Sequence, residues 1–434
     1  MQSKREILLG IFQESHYEPA LFRAWIRRHP APEDWGRFSG RVSVRRSPKA
    51  RLIFLLARAG CLGSLRRMPG ALIAAHKFLK PWEHLAMRWI GWRARKKYAR
   101  IRFRDVIGIT GSYGKTTTKE LITHVLEGAY RVHKTPDNIN TFFGIARWMM
   151  AQRNLRDGDI FIVEMGAYHR GDIASICRMA RPTIAIITGL NEAHLERFGS
   201  LDATARTKTE LIDALPPGGA VFWNKSSPLL DEYMRTRSGQ WPGKILTPYE
   251  REDEDTKQES DIADFSNFSH NDAIGAARAV GARLGMPPDA VERRIRAFRP
   301  IARRFAVSRG PGDRMIIDDS YNITLAGVRA ACRMLAGIPR RKIGVFAGIP
   351  EGGVASGKIN EELGRMIGPA FAAILLRRTP VYDAVRRGLE KSGFPEANII
   401  AYSESREVEG ILARISHNGD CIYFSAYDWP TIYL

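Results

Sequence analysis

The amino-acid sequence predicts an α/β protein with two successive α/β domains behind a basic helical segment, on three observations. Short apolar runs rich in β-branched residues alternate with stretches of helical spacing from residue 105 onward, the pattern of buried parallel strands joined by helices. A glycine-rich turn separates the first of these runs from the first helical stretch. A fresh series of the same kind begins near residue 300. With 434 residues the chain is long enough for two or three cores. The expected division is a segment at 1–104, a central parallel-sheet P-loop domain at 105–299, and a C-terminal Rossmann-like domain at 300–434.

The first segment is set apart by charge. The chain carries a net charge of +21, and residues 1–104 hold 24 Lys/Arg against six Asp/Glu. Five of its nine tryptophans are here: Trp25, Trp35, Trp82, Trp89 and Trp92. The apolar runs at 51–65 and 70–79 are interrupted by Arg58 and Lys77, short of the roughly 18 to 20 apolar residues of a membrane span. Tryptophan mixed with Arg and Lys on helices suits a helix lying in the interface of an anionic membrane. A helical appendage with a solvated basic face explains the composition equally well. A nucleic-acid arm ranks behind both, since nothing resembles a base-reading module. The N-terminal apolar stretch "ILLGIF" is too short for a cleavable signal. Cys61, Cys177, Cys332 and Cys421 form no C-x-x-C pair, which argues against a zinc site or disulfide framework and for a reducing, cytoplasmic compartment.

In the central domain "DVIGIT" (105–110) reads as a strand and "KTTTKELITHVLEGA" as the following helix, with Leu121, Ile122, Val125 and Leu126 on one side. "DIFIVEMG" (159–166) and "TIAIITGL" (183–190) read as two further strands. The acidic run at 249–261 reads as a loop or surface turn. Beyond 300, strands are expected in "RMIIDDSYN", "KIGVFAGIP", "AFAAILLRR", "NIIAY" and "GDCIYFS", with helices at 325–336, 358–367 and 380–392.

The turn Gly111-Ser112-Tyr113-Gly114 between strand and helix is a phosphate cradle in outline. Backbone N–H groups converge there on the positive end of a helix. Lys115 would supply a cation to the β- and γ-phosphates, and the Thr116 hydroxyl a magnesium ligand, with Thr117 beside it. The common form, G-x-x-x-x-G-K-[ST], requires glycine six residues before the lysine, and that position is Ile109. The competing reading is a tight strand-to-helix turn. Glu164 ends an apolar strand, where a carboxylate is costly without a cation.

"TGSYGKTTTKE" is similar to the T-G-x-x-G-K-T-[ST]-T loop of the Mur ligases, the ATP-dependent amide-bond-forming enzymes of peptidoglycan synthesis, above all of those that add D-alanyl-D-alanine. Further segments resemble that family in order: "TPDNINTFFG" at 135–144, "VEMGAYHRGDI" at 163–173, "AHLERFGSLDATARTKTEL" at 193–211, "SHNDAIGAARAVGARLGM" at 269–286 and "DDSYN" at 318–322. The resemblance implies ATP and Mg2+ as cofactors. It gives Glu164 the role of a magnesium ligand, His194 that of a ligand to a second magnesium, and Lys208 that of a metal ligand once carbamylated. It places Asn140 near the metal and γ-phosphate, Asn271 against adenine and Arg304 on phosphate, with Asp319 and Tyr321 holding nucleotide from the C-terminal side. An acceptor carboxylate and an amine donor, an amino acid or dipeptide, are the implied partners.

The departures fall on the acceptor side. A second asparagine expected three residues after Asn271 is Ile274. The family's closing K-G-S-R stretch is replaced by "FSAYDWPTIYL", and residues 1–104 do not read as the α/β domain that grips UDP. The expected reaction is therefore acyl-phosphate formation followed by amide synthesis in the cell wall. The alternatives are a ligase of the same fold acting outside peptidoglycan, a P-loop ATPase whose output is conformational, and a membrane-attached scaffold.

Overall fold

The computed structural model describes residues 3–14, 17, 19–33, 35, 48–61, 64–137, 139–190, 200–250, 271–299, 301, 303–321, 323–349 and 356–426. It separates into two compact units, one ending at Trp89 and the other beginning at Ile90.

The first unit is helical in its described part, with α1 (Lys4–Glu14), α2 (Pro19–Arg28), α3 (Pro48–Gly60) and the start of α4 (Met68–Tyr98). Its core follows from i, i+4 spacing: Ile7, Leu8, Ile11 and Phe12 on α1 bury against Phe22, Trp25, Ile53 and Leu72. Trp35 is buried too, and its indole N–H donates to the His29 carbonyl at 2.8 Å. The tryptophans therefore divide, since Trp25 and Trp35 build the core while Trp82, Trp89 and Trp92 are exposed.

The second unit holds two six-stranded sheets. The first contains β1 (Asp105–Thr110), β2 (Val132–Lys134), β3 (Ile160–Glu164), β4 (Ile184–Ile187), β5 (Ala220–Asn224) and β6 (Ile245–Tyr249), all parallel in the order β2-β3-β1-β4-β5-β6. Its helices are α5 (Lys115–Leu126), α6 (Phe142–Ala151), α7 (Asp172–Ala180), α8 (Leu201–Asp213), α9 (Pro228–Arg237), α10 (Asn271–Arg283) and α11 (Pro288–Arg296). The chain leaves β1 for β2 on one side and later returns past β1 to β4 on the other. That reversal opens a crevice at the carboxyl ends of β1, β3 and β4, the place where doubly wound sheets bind ligands.

Three of these strands go beyond the sequence reading. β2 and β6 are short edge strands whose residues are largely half-buried or exposed, so they lack the apolar run of an interior strand. β5 is fully buried, but a five-residue apolar run cannot be told from part of a helix by periodicity. Tyr249, expected in a loop, ends β6; Glu250 follows it, exposed, and residues 251–261 of the acidic run lie outside the described residues.

The second sheet runs β11-β10-β9-β12-β8-β7. It comprises β7 (Ala306–Gly310), β8 (Arg314–Asp318), β9 (Lys342–Phe346), β10 (Ala373–Arg377), β11 (Ile399–Tyr402) and β12 (Cys421–Ser425), parallel except for β7. The helices α12 (Leu325–Ala336), α13 (Ser356–Ile367) and α14 (Tyr382–Lys391) lie close to the expected ranges, and α15 (Ser405–Ile415) joins them. β7 was not foreseen because its residues are mostly half-buried or exposed.

The end of α4 belongs to this unit. Ala94 and Tyr98 are buried in the core of the first sheet, and the Lys97 ammonium donates to the carbonyls of Met149, Met150 and Gln152 at the end of α6. A cation on the last carbonyls of a helix is favoured by the helix dipole. Burial lowers the pKa of Lys97, with the Arg153 charge adding to it.

Candidate active site

The site is built at the carboxyl end of β1. Gly111 has φ of +150°, and a Cβ added there would stand 2.1 Å from the Thr188 hydroxyl oxygen. Glycine is what lets the loop lie against β4's end, where the Ser112 N–H donates to the Gly189 carbonyl at 2.9 Å. The Thr188 hydroxyl donates to the Tyr113 carbonyl, and the buried Asn224 amide donates to the Thr188 carbonyl at 3.1 Å. Gly114, at φ +75°, then turns the chain into α5. The first N–H groups of that helix have no intrahelical acceptor and face the crevice end of the turn. Thr116 and Thr117 are buried in its first turn. The Tyr113 phenol is pushed up to about 12, chiefly by burial.

Parallel pairing of β1 with β3 sets Ile109 opposite Glu164, so the carboxylate ending β3 arrives beside the cradle. Glu164 is buried, and each of its oxygens is held. Oε2 accepts from the Thr116 hydroxyl at 2.8 Å, and Oε1 accepts from the Asn140 amide at 3.0 Å. A third element supports it through its backbone, since the Glu164 N–H donates to the Thr135 hydroxyl at 3.1 Å. Asn140 can reach the carboxylate because residue 166 is glycine; a Cβ there would come within 2.7 Å of its Oδ1.

One member of this cluster was not singled out from sequence. Lys119 stands one turn beyond Lys115 on α5, with its side chain 0% exposed, its ammonium 3.4 Å from Glu164 Oε2 and a hydrogen bond to the Asp137 carbonyl. The i, i+4 spacing was the available signal, but lysine at that spacing is common on solvated helix faces.

Lys115 donates to the Gly111 carbonyl at 2.8 Å. Burial lowers its pKa, Glu164 opposes this, and the charge of Arg304 lowers it further. Arg304, from the turn before β7, is thus close enough to act on the cradle lysine, and its guanidinium lies 4.0 Å over the Tyr321 ring. Asp319 is half-buried and accepts from the Tyr423 hydroxyl at 2.9 Å. Burial raises its carboxyl to about 6 against the hydrogen bonds from Tyr423 and the Phe305 N–H.

Lys208 is buried on α8. Burial, followed by the charge of Lys115, lowers its pKa to about 7, while Asp172 and Glu210 act in the other direction. Those carboxylates also order the start of α7: Glu210 accepts from the Gly171 and Ala174 N–H groups at 2.7 and 3.0 Å, and Asp172 from those of Tyr168 and His169. His194 lies outside the described residues, as does the side chain of Asn271, the first residue of α10. Among the described residues no three His, Cys, Asp or Glu form a metal cluster. The oxygen donors at hand are the Thr116 hydroxyl and the Glu164 carboxylate, a set that suits magnesium, which keeps most of its ligands from phosphate and water.

A parallel sheet with a glycine-rich strand-to-helix turn at its switch point, followed by a second α/β sheet, is the architecture of a nucleotide-dependent enzyme of two α/β domains. Residues 109–278 match the Mur ligase middle domain. The UDP-N-acetylmuramoyl-tripeptide–D-alanyl-D-alanine ligase of Synechocystis sp. is 31% identical over 80% of this chain and 75% of its own length. That of Bacillus subtilis is 27% identical over 74% and 72%. Among solved structures, the MurF ligase of Thermotoga maritima in complex with ADP superposes with a TM-score of 0.68 at 23% identity, covering 80% of this chain and 81% of that one. The chain belongs to the Mur ligase family, and it is an ATP-dependent peptide ligase. The alternatives of a conformational ATPase and of a scaffold fall with that assignment.

Proposed function

We propose that the chain activates an acceptor carboxylate with ATP and joins an amine to it, in the synthesis of the cell-wall peptide. The supporting observation is the cluster of Thr116, Asn140, Lys119 and Glu164, with Glu164 buried, beside the Gly111–Thr116 turn. A carboxylate oxygen of the acceptor attacks the γ-phosphorus, the bond to the ADP oxygen breaks, and an acyl phosphate forms. The amine nitrogen then attacks the acyl carbon, inorganic phosphate leaves, and the nitrogen gives up a proton. Lys115 and Arg304 are suited to the charge that spreads over the phosphoryl oxygens. Thr116 and Glu164 would hold Mg2+, whose chemistry is to neutralise the phosphates and orient them. Asn140 and Lys119 keep the Glu164 carboxylate aimed.

Lys208 enters this reading through its amine. At a pKa of about 7 a large neutral fraction is present at neutral pH, and a neutral amine adds to CO2, forming an N–C bond and releasing a proton. The resulting carbamate would offer an anionic oxygen ligand to a bound cation.

The Synechocystis and B. subtilis relatives carry UDP-N-acetylmuramoyl-tripeptide and D-alanyl-D-alanine in their names, and we take these as acceptor and donor, used in the cytoplasm where ATP is made. One observation favours a second reading in which the acceptor lacks UDP: among the described residues of the first unit, α1–α3 and the early part of α4 form a helical core without a strand. Phosphate release from ATP and magnesium, measured across acceptor and amine pairs, separates the two. Release requiring both UDP-N-acetylmuramoyl-tripeptide and D-alanyl-D-alanine supports the first. Release with other pairs alone supports the second, and the absence of release with any pair refutes both.

A further inference from the structure

We propose that the exposed face of α3 and α4 in the N-terminal unit docks on an anionic phospholipid surface. On α4, Phe78, Trp82, Leu85 and Trp89 recur at spacings of four, three and four residues, which stacks them along one side of the helix. They are 66, 64, 58 and 55% exposed. The other side of α4 is spoken for, since Leu72, Ile73 and His76 are buried in the unit's core. Leu52 and Leu55 on α3 are also exposed. Toward the start of α4 the same face becomes a groove between the two helices, lined by Leu56, Gly60, Ala71, Ala74 and Phe78. Arg66 and Arg67 line it as well.

Contiguous exposed aromatic and aliphatic side chains on a water-soluble unit mark a contact surface. The charge around them selects the occupant. Residues 1–89 hold 17 basic and six acidic side chains, and Arg66 and Arg67 offer planar donors to phosphate beside the apolar groove. Tryptophan ring systems are enriched where hydrocarbon meets headgroup. No described helix is long and apolar enough to cross a membrane, so the contact lies along the surface. A second copy of the chain is the rival occupant, because the spacing would suit a coiled-coil seam. It is disfavoured by Pro81 within the stretch, by indole rings where compact aliphatic knobs are wanted, and by the like charge each copy brings. The docking is independent of which acceptor and amine the ligase joins.

The test uses the full chain and co-sedimentation with vesicles of phosphatidylcholine alone or mixed with phosphatidylglycerol, at moderate salt. Binding is expected to be at least about tenfold stronger to the phosphatidylglycerol vesicles and to weaken with salt. The triple variant Phe78→Ser, Trp82→Ser, Leu85→Ser is expected to lose about tenfold or more of that binding. So is Arg66→Glu with Arg67→Glu. Brominated lipid should quench tryptophan fluorescence in the parent chain, and less in Trp82→Phe. Because the altered side chains are exposed, an unchanged circular dichroism spectrum separates lost docking from lost fold. Equal binding to both vesicle types, or equal binding by parent and triple variant, overturns the proposal. So does a concentration-dependent dimer that the triple variant dissolves.

Discussion

Removing the Lys119 ammonium tests whether the carboxylate of Glu164 is a cation site held ready by a built-in counter-charge. In Lys119→Met the volume is nearly kept, but a buried anion loses the cation 3.4 Å from it and the Asp137 carbonyl loses its donor. Breaking a buried pair by deleting one partner costs about 3–5 kcal/mol. Glu164 keeps the Thr116 hydroxyl and the Asn140 amide, and Lys115 still contributes positive potential, so a cost of about 3 kcal/mol is expected. At about 2–4 °C per kcal/mol for a domain of this size, the apparent melting temperature should fall by roughly 6–12 °C in a chelator. The variant's carboxylate then depends on added cation. Millimolar magnesium should restore part of the loss, by more than it stabilises the parent, as binding to the folded state alone requires. Adding Glu164→Gln should cancel much of the penalty, because the amide needs no counter-ion, giving a coupling of about 1–3 kcal/mol. Differential scanning fluorimetry across a magnesium series reads all four proteins. A Lys119→Met protein that melts with the parent in chelator and gains no more from magnesium would refute the reasoning.

Four further outcomes are expected. Depleting CO2 and bicarbonate should lower ligase turnover, with bicarbonate restoring it, and the dependence should steepen below pH 7 where the Lys208 ammonium dominates; indifference to bicarbonate would leave Lys208 as a plain lysine. Lys208→Ala should be inactive and partly rescued by short carboxylates, read by phosphate release. Asp319 binds its proton more tightly when folded, with a carboxyl raised from 3.8 to about 6, so its contribution is fully present below pH 4 and lost as pH rises through 6. Asp319→Asn should remove that slope, worth about 3 kcal/mol, from urea-unfolding curves between pH 4 and 7. Gly111→Ala drives a Cβ into the Thr188 hydroxyl; a rise of roughly tenfold or more in the KM for ATP is expected from about 1–3 kcal/mol of strain, measured by steady-state kinetics.

What could be read from sequence followed the distance over which each feature is decided. β1, β3 and β4 were legible because their burial on both faces is written as unbroken apolar runs. β2, β6 and β7 were not, since an edge strand needs no such run and its pairing depends on neighbours far along the chain. The strand, glycine turn and helix of 105–126 were legible because they are contiguous, and they carry the same local signature whatever surrounds them. Lys119 was hidden for the opposite reason. Its role depends on Glu164, 45 positions away, and the two meet only because β3 lies directly beside β1 in register. The acceptor side stayed open for a related reason, as residues 1–104 diverge from the pattern that would name a ligand.

The order of strands also bears on how the protein is made. β1 lies between β3 and β4, so the cradle has both its walls only once translation has passed Ile187. In the second sheet the delay is longer, because β12 sits between β9 and β8 and is the last described strand. Until Cys421–Ser425 emerges, β8 and β9 have no shared neighbour, and each exposes an edge ready to pair wrongly. A ribosome that stalls or stops before residue 421 would release a first sheet able to close and a second one split in two. Quality control by proteolysis should therefore fall on the C-terminal half, and loss of the final strands should be felt as degradation before it is felt as lost turnover.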